Sequence, residues 1–586
     1  MTRPLLFLSL LFALGPSYGA DLLAGQAWYL QKPAEGDATL ATVPAEGAPG
    51  GHRTALRITV VKPSDPFYQI LLGQTVAPAV PENTRLRLRF WGRSPTRSPV
   101  RAVVEENSAP YNSVTEQTPI LTPDWKEYTI TGTVSPAYGP NGLGVKFQVG
   151  QQAGVVELAG ITLEDLGPDP AYLAAQAAVA PAAEQSRIRR CRMNDLTVLV
   201  RDKNGRPVPG ARVHVAQTRH AFLFGCNFFA LNPADNSPLE TAYRDEFTAL
   251  FNYATLPFYW GAFESRQGRP DYARLDAMAQ WSVAHGVTPK GHPLVWHEVW
   301  PRWAPTDPDA SIPLLHQRVT DLVTHYQGVI HYWDVVNEAN SPDPKTGEGA
   351  WIKRDGAATV VGTALDWARA AGRGADDTFL YNDYNTGPQN VALLTQLQKR
   401  GKLPDAIGLQ SHMHGGVWPL TKVWQTCQTF AQFGLPIHFT ETTVISGPRR
   451  AHDVSGPAAT NWNTTPEGEA AQADYVAQFY TLLFSHPSVR AITWWDFSDL
   501  NAWQGAPAGL VRKDMTPKPA YTRLMQLIHH DWWTDSQGRA DHLGRYQVHA
   551  FYGDYKITAT DSHGHTVTQT VSWPEASGPR QVTVTL

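Results

Sequence analysis

Eight short apolar, β-favouring runs follow one another between residues 221 and 499, with longer stretches of helical periodicity between them. The runs are AFLFGCNFF (221–229), YATLPFYW (253–260), TPKGHPLVWH (288–297), HYWDVVNE (331–338), TFLYNDYN (378–385), AIGLQSHM (406–413), PIHFTET (436–442) and RAITWWDFSD (490–499). Segments such as DYARLDAMAQWSVAHG and LLHQRVTDLVTHYQG lie between them. Strand-length and helix-length patterns in alternation call for parallel strands joined by crossover helices. Eight such units over about 310 residues predict an α/β protein built on a closed (β/α)8 barrel.

The chain has 586 residues, more than one barrel needs, so other domains must flank it. Residues 21–166 carry short alternating runs such as TALRITVV, RLRLRFWGRS, KEYTITGTV and GVKFQVG. Period-two alternation at this spacing predicts a β-sandwich. Trp91 and Trp125 read as its core, and Trp28, Tyr68 and Tyr111 as weaker candidates for ligand contact. Residues 167–186 are rich in Pro and Ala and read as a linker or a connecting helix. The barrel domain is assigned to 187–530, preceded by a β-hairpin whose turn contains Asn204-Gly205. Residues 531–586 return to alternation (RYQVHAFYGDYKITATD, HTVTQTVSW, RQVTVTL) and predict a small C-terminal β-module. Residues 1–20 combine Arg3, an apolar run from Leu5 to Leu14 and small residues. They read as a secretory signal peptide, too short to span a membrane, so a secreted, extracellular or periplasmic protein is expected.

Charged residues make up 17% of the chain and the formal net charge is −4. That balance offers no basic stripe for phosphates, so nucleic acid is not an expected partner. There are 20 Trp and 21 Tyr, residues suited to sites that bind flat apolar faces such as sugar rings. The cysteines, Cys191, Cys226 and Cys427, fit no metal spacing. A Cys191–Cys226 disulfide and three buried thiols both remain open. Trp303, Trp351 and Trp367 read as core or helix-packing residues.

Active sites of such barrels form at the C-terminal ends of the strands. Here those ends carry His292, Trp296 and His297 (third run), Asn337 and Glu338 (fourth), Asn382 to Asn385 (fifth), Gln410, His412 and His414 (sixth), Glu441 (seventh), and Trp494 to Asp496 (eighth). Glu338 and Glu441 fall on opposite strands and face each other across the mouth. Two facing carboxylates, one protonated and one ionised, are what glycoside hydrolysis needs.

These stretches resemble glycoside hydrolase family ten, the endo-1,4-β-xylanase family. The matching segments are GHPLVWH, WDVVNEAN, YNDYN, IGLQSHMH, HFTET, WWDFSDLNAWQG and PKPAY, in the family's order. The resemblance implies Glu338 as acid/base and Glu441 as nucleophile of a retaining reaction through a covalent glycosyl-enzyme. It implies Asn337 at the sugar 2-hydroxyl and His292 with Trp296 as a substrate-binding pair. Gln410 and His412 would hold the nucleophile, and Trp495 and Trp503 would wall the sugar. It also suggests that residues 21–166 are a jelly-roll carbohydrate-binding module. Xylan or a related plant polysaccharide is the implied partner of a monomeric chain, with no cofactor and no metal.

Two departures bear on substrate. After FNYAT the family carries a Glu-Asn…Lys group that grips glycone sugars, whereas here the stretch is shorter and places Tyr259 and Trp260 in that region. After Glu441 the family has Leu and Asp, whereas here Thr442 and Thr443 follow. They keep open a second reading, a same-clan retaining glycosidase acting on another β-linked plant glycan, with exo as well as endo action allowed. A non-catalytic glycan-binding barrel, and a metal-dependent hydrolase using His412 and His414, are the readings from other classes. The long connection after the seventh run, 446–472, is expected to cover part of the cleft.

Overall fold

A computed structural model describes residues 19–372, 374, 376–449 and 461–586. The signal-peptide reading and the middle of the 446–472 connection lie outside these residues. The chain divides into two compact units, one ending at Ala174 and the other running from Ala175 to Leu586. Among the described residues no helix is long and apolar enough to cross a membrane.

The N-terminal unit holds two five-stranded antiparallel sheets. One orders Tyr29–Gln31, Leu71–Val76, Leu143–Gln148, Arg101–Glu106 and Ser113–Gln117. The other orders Ala38–Pro44, Thr54–Val60, Gly154–Pro168, Thr84–Arg93 and Lys126–Thr133. Alternate residues, among them Ile58, Leu88, Phe90, Val104, Val145 and Phe147, fill the space between the sheets. Trp28 packs at the edge of this core. The reading of Trp91 and Trp125 as core is corrected. Trp91 is out of phase with Leu88 and Phe90, so it points off the opposite face. There it joins Trp125, Ala45, Ala55 and Ala159 in a separate small cluster, and the Arg93 guanidinium lies 4.7 Å from the Trp125 ring centre. Tyr68 and Tyr111 are exposed.

In the second unit all eight predicted strands form and close a parallel barrel. They are β1 (Leu223–Asn227), β2 (Tyr253–Pro257), β3 (Thr288–His292), β4 (Tyr332–Asn337), β5 (Thr378–Asp383), β6 (Ala406–Met413), β7 (Ile437–Val444) and β8 (Val489–Trp494). Helix starts are written locally. Ser237, Asp307 and Thr465 each accept a backbone N–H of the first turn, and a proline follows each of them. Trp333, buried beside β3, needs Gly291 opposite it, because a Cβ there would collide with the indole.

The segments flanking the barrel are not a hairpin and a separate module, as the sequence suggested. Met193–Arg201 pairs with Arg545–Phe551 and Arg580–Thr585 in one sheet. Arg212–His220 pairs with Asp535–Arg539 and Gly553–Thr560 in another. The two strands that were expected to pair with each other instead belong to different sheets, which share a core of Val198, Val200, Val213, Val215, Tyr555, Ile557 and Trp573. Each strand is apolar on one face, and facing the other sheet buries that face as well as its neighbours do. The stretch read as a linker contains the helix Pro170–Ala178 and the first half of Pro181–Arg192. At the end of the latter, Arg192 is buried and donates to the carbonyls of Phe484, His486 and Val489 and to Glu575. Cys191, Cys226 and Cys427 are all free thiols.

Candidate active site

The apolar fourth run ends on polar residues because β4 delivers them to the barrel mouth. Asn337 is the last strand residue and is buried. Glu338 follows with φ at 58°, a left-handed turn rare for a side chain of its size. The Trp296 indole donates to Glu338 Oε2 at 3.1 Å, and the Gln410 amide donates to Oε1 at 2.8 Å.

Across the mouth, Glu441 lies within β7 and is buried. Asn382 donates to its Oε1 at 2.8 Å, and His412 Nε2 meets its Oε2 at 3.0 Å. His292 Nε2 stands 3.9 Å from Oε1. His292 is itself fixed from behind: its Nδ1 lies 2.8 Å from Asp334 Oδ2, which also accepts from Lys290 at 2.7 Å. Lys290 and Asp334 are fully buried, so the pair is a fixed charged base beneath the site.

The two carboxyls are electrostatically unlike. Burial, then the charge of Glu441, pushes Glu338 up to about 8, against the Gln410 hydrogen bond. Burial also acts to raise Glu441. The His412 hydrogen bond and the electrostatic influence of His292, His412 and Lys290 outweigh it and hold Glu441 below the usual carboxylate range. At neutral pH one group therefore keeps its proton while the other is ionised, the division of labour that acid-assisted nucleophilic displacement requires.

Aromatic rings enclose the pair. Trp495 meets His292 edge-on at 5.6 Å and His412 at 6.0 Å, and Trp503 lies tilted 4.7 Å from His412. Asn337 accepts from Asn382 at 2.7 Å and from Gln410 at 3.4 Å through its carbonyl oxygen, which leaves its NH2 group for a sugar hydroxyl.

The nine residues given site roles by the family resemblance thus converge on one mouth. One expected contact is corrected: the Gln410 amide bonds Glu338 and Asn337, and it is Asn382 that holds Glu441 beside His412. The register shifts here: consecutive Leu409 and Gln410 face Phe439 and Glu441, so Thr440 is an extra residue on β7 just before Glu441. Asn382 was visible in YNDYN, and its place follows from pairing with Asn337 across β4 and β5.

The departures also resolve. Tyr259 enters the site, with its ring 5.5 Å from His292 and 5.6 Å from Trp296. Trp260 turns away, packs edge-on against Trp300 and Trp303, and bonds Glu264. Thr443 takes the place of the missing carboxylate, 2.8 Å from His412 Nδ1. The two nitrogens of His412 are thereby engaged, and among the described residues no group of three or more His, Cys, Asp or Glu is placed to hold a metal ion. Trp303 bonds the Glu264 carbonyl, and Trp351 stacks on Trp367 at 5.5 Å, packing roles as expected.

A (β/α)8 barrel with facing carboxyls on β4 and β7 and an aromatic-walled mouth is of the glycoside hydrolase class. Residues 218–527, more than half of the chain, match glycosyl hydrolase family 10, and the chain belongs to that family. Endo-1,4-beta-xylanase B of Thermotoga neapolitana is 26% identical over 324 residues, covering 52% of this chain and 87% of that protein. Endo-1,4-beta-xylanase of Agaricus bisporus is 29% identical over 300 residues, covering 47% and 83%. Anti-sigma-I factor RsgI6 of Acetivibrio thermocellus is 26% identical over 408 residues, covering 68% of this chain and 49% of that protein, so the chain spans about half of its length. The native xylanase 10B of Thermotoga maritima aligns at 23% identity and a TM-score of 0.45, over 53% of this chain and 96% of that one.

Proposed function

We propose that the protein is a secreted, retaining endo-1,4-β-xylanase. The observation that carries the reading is the facing pair of carboxyls in one mouth, Glu338 held by Trp296 and Gln410 and Glu441 by Asn382 and His412. In the first step Glu441 attacks the anomeric carbon as Glu338 gives its proton to the departing glycosidic oxygen. In the second, Glu338 takes a proton from water, and the hydroxyl displaces Glu441 from the sugar. Asn337 holds the adjacent hydroxyl, and Trp495 and Trp503 cover the ring. Export rests on the leader-like residues 1–20. The xylan preference is supported by the similarity to the two xylanases.

The test is a product time course on glucuronoxylan, arabinoxylan and a panel of other β-glycans, with Glu441→Gln as the blank. A ladder of xylo-oligosaccharides that is absent from the variant is expected. Silence on xylan with cleavage elsewhere favours the second reading, another β-glycan, which the position of Tyr259 in the cleft supports. A protein that binds glycan without cleaving any would be a non-catalytic barrel.

We also infer that the N-terminal sandwich binds glycan on the outward face of the sheet containing Lys146. That face carries Glu105, Lys146 and Gln148, all buried, with Lys146 and Glu105 paired at 2.9 Å. Tyr29 and Tyr111, 42% and 55% exposed, flank it. Paired charges beside exposed aromatic rings, with Lys146 Nζ 5.2 Å from the Tyr111 ring centre, suit a neutral polyhydroxylated chain. Sedimentation with insoluble xylan is expected to fall in full-length Tyr111→Ala. Unchanged retention would remove this assignment.

A further inference from the structure

The mouth contains a third carboxylate that the two-acid mechanism does not use. Asp496 follows directly on β8 and the adjacent Trp495. Its φ of 72° lies in the left-handed region, which few side chains adopt without a compensating reason. Its backbone N–H donates to Asn227 Oδ1 at 3.0 Å, and its Oδ2 accepts the Trp503 N–H at 2.9 Å. The Asn227 amide also bonds the carboxylate. β8, β1 and the Trp503 loop therefore fix this group together.

Its neighbours show where it faces. Asn227 closes β1 and the Trp503 ring lies 4.7 Å from His412, so a carboxylate bonded at these two residues stands among the C-terminal strand ends. Among the described residues no Lys, Arg or His forms an ion pair with it, although it is half-buried. Burial accordingly raises it to about 6, against the Trp503, Asn227 and His412 contributions. A carboxylate held in a strained turn without a countercharge is poorly explained by stability.

In an eight-stranded barrel β8 lies opposite β4, so Asp496 is across the mouth from the group that protonates the leaving oxygen. The sugar within its reach is on the glycone side, the part retained on Glu441. An ionised carboxylate only accepts hydrogen bonds, and its two oxygens match two adjacent hydroxyl donors. It repels a uronate and has no use for an esterified or etherified oxygen.

We propose that Asp496 is a specificity-determining residue that binds adjacent hydroxyls of the glycone sugar and requires them to be free. The proposal rests on the glycosidase reading above. It narrows the substrate to a neutral glycone that is undecorated at those positions.

The test uses full-length wild type, Asp496→Asn and Asp496→Gly. Both replacements tolerate the left-handed turn. The substrates are an aryl xylobioside, or the aryl glycoside of whichever glycan the wild type cleaves, and its mono-deoxy analogues on the glycone. Asp496→Asn is expected to lower kcat/KM about 10- to 100-fold on the parent substrate, the range for a hydrogen bond to a charged group. At least one deoxy analogue should cost the wild type a similar factor and the variant little more, because the two changes remove one interaction. Melting temperature should hold or rise in both variants. The proposal is overturned if Asp496→Asn stays within about twofold of wild type, or if every deoxy penalty persists unchanged in it. A fall in melting temperature with persisting deoxy penalties assigns Asp496 a purely structural role and overturns it too. A wild type that cleaves no glycan overturns the glycosidase reading itself, and this proposal with it.

Discussion

Replacing Glu441 with glutamine should move the titration of Glu338 as well as stop turnover. The proton on Glu338 is retained for two reasons, burial first and then the facing negative charge. The Glu441→Gln change keeps the shape of the side chain and removes only the second. Carboxyls of a retaining pair stand about 5–5.5 Å apart. At an effective dielectric of about 20, two unit charges at that distance repel by about 3 kcal/mol, or about two pKa units. Glu338 should therefore fall from about 8 in the wild type to about 6 in the variant, and burial should keep it above an ordinary glutamate. The assay is a pH titration of the side-chain carboxyl carbon by NMR, on protein labelled at Glu, with Glu338→Gln to assign the signal. A shift of less than about half a unit, or an upward shift, would refute the claim that the two acids are coupled across the mouth.

The rate should follow a bell in pH. Activity is lost at low pH as Glu441 takes up a proton, at a pH below that of an ordinary carboxylate, and at high pH as Glu338 gives its proton up near pH 8; a profile with a single limb speaks against the assignment. Glu338→Ala should slow substrates with poor leaving groups by about 10²- to 10⁴-fold and spare the first step on aryl glycosides with very acidic phenols. Equal losses on the two substrate types would move the acid role elsewhere. Asn382→Ala removes a donor to the Glu441 carboxylate, worth about 1.5–3 kcal/mol, and should cut kcat/KM about 10- to 100-fold, measured on the wild type's best substrate. Arg192→Ala leaves Glu575 without one of its cations and three buried carbonyls without a donor, so a loss of about 3–5 kcal/mol is expected by urea denaturation; a change under about 1 kcal/mol would deny Arg192 that role.

The barrel was legible because its signal is local. Each strand is a short apolar run, each helix has its own period, and the chemistry falls where the apolar run stops. Counting strands alone put Glu338 and Glu441 three strands apart on the same mouth. What escaped the sequence depends on pairing. Strands 193–201 and 212–220 each pair with segments more than 300 residues further on, and alternation specifies a buried face without naming the neighbour. Trp91 was misplaced although RLRLRFW shows its parity: it alternates with the arginines and not with Leu86, Leu88 and Phe90. Asn382 holds Glu441 in place of Gln410 because the β6–β7 register shifts by one residue, Thr440 on β7, which no composition reveals. The Thr443 contact to His412 shows how a departure from the family pattern can be absorbed. A hydroxyl still engages the ring nitrogen, but unlike a carboxylate it brings no charge, so His412 is oriented with less electrostatic support.

The central claim is that Glu441 becomes covalently linked to the sugar while Glu338 manages the proton. The most direct measurement is peptide mapping by mass spectrometry after incubation with a 2-deoxy-2-fluoro aryl xylobioside, which slows the second step and lets the intermediate accumulate. A single glycosyl adduct is expected on the peptide containing Glu441 and is absent from Glu441→Gln. Turnover of the glycan with no such adduct, or with the adduct on another residue, would deny Glu441 the role of nucleophile.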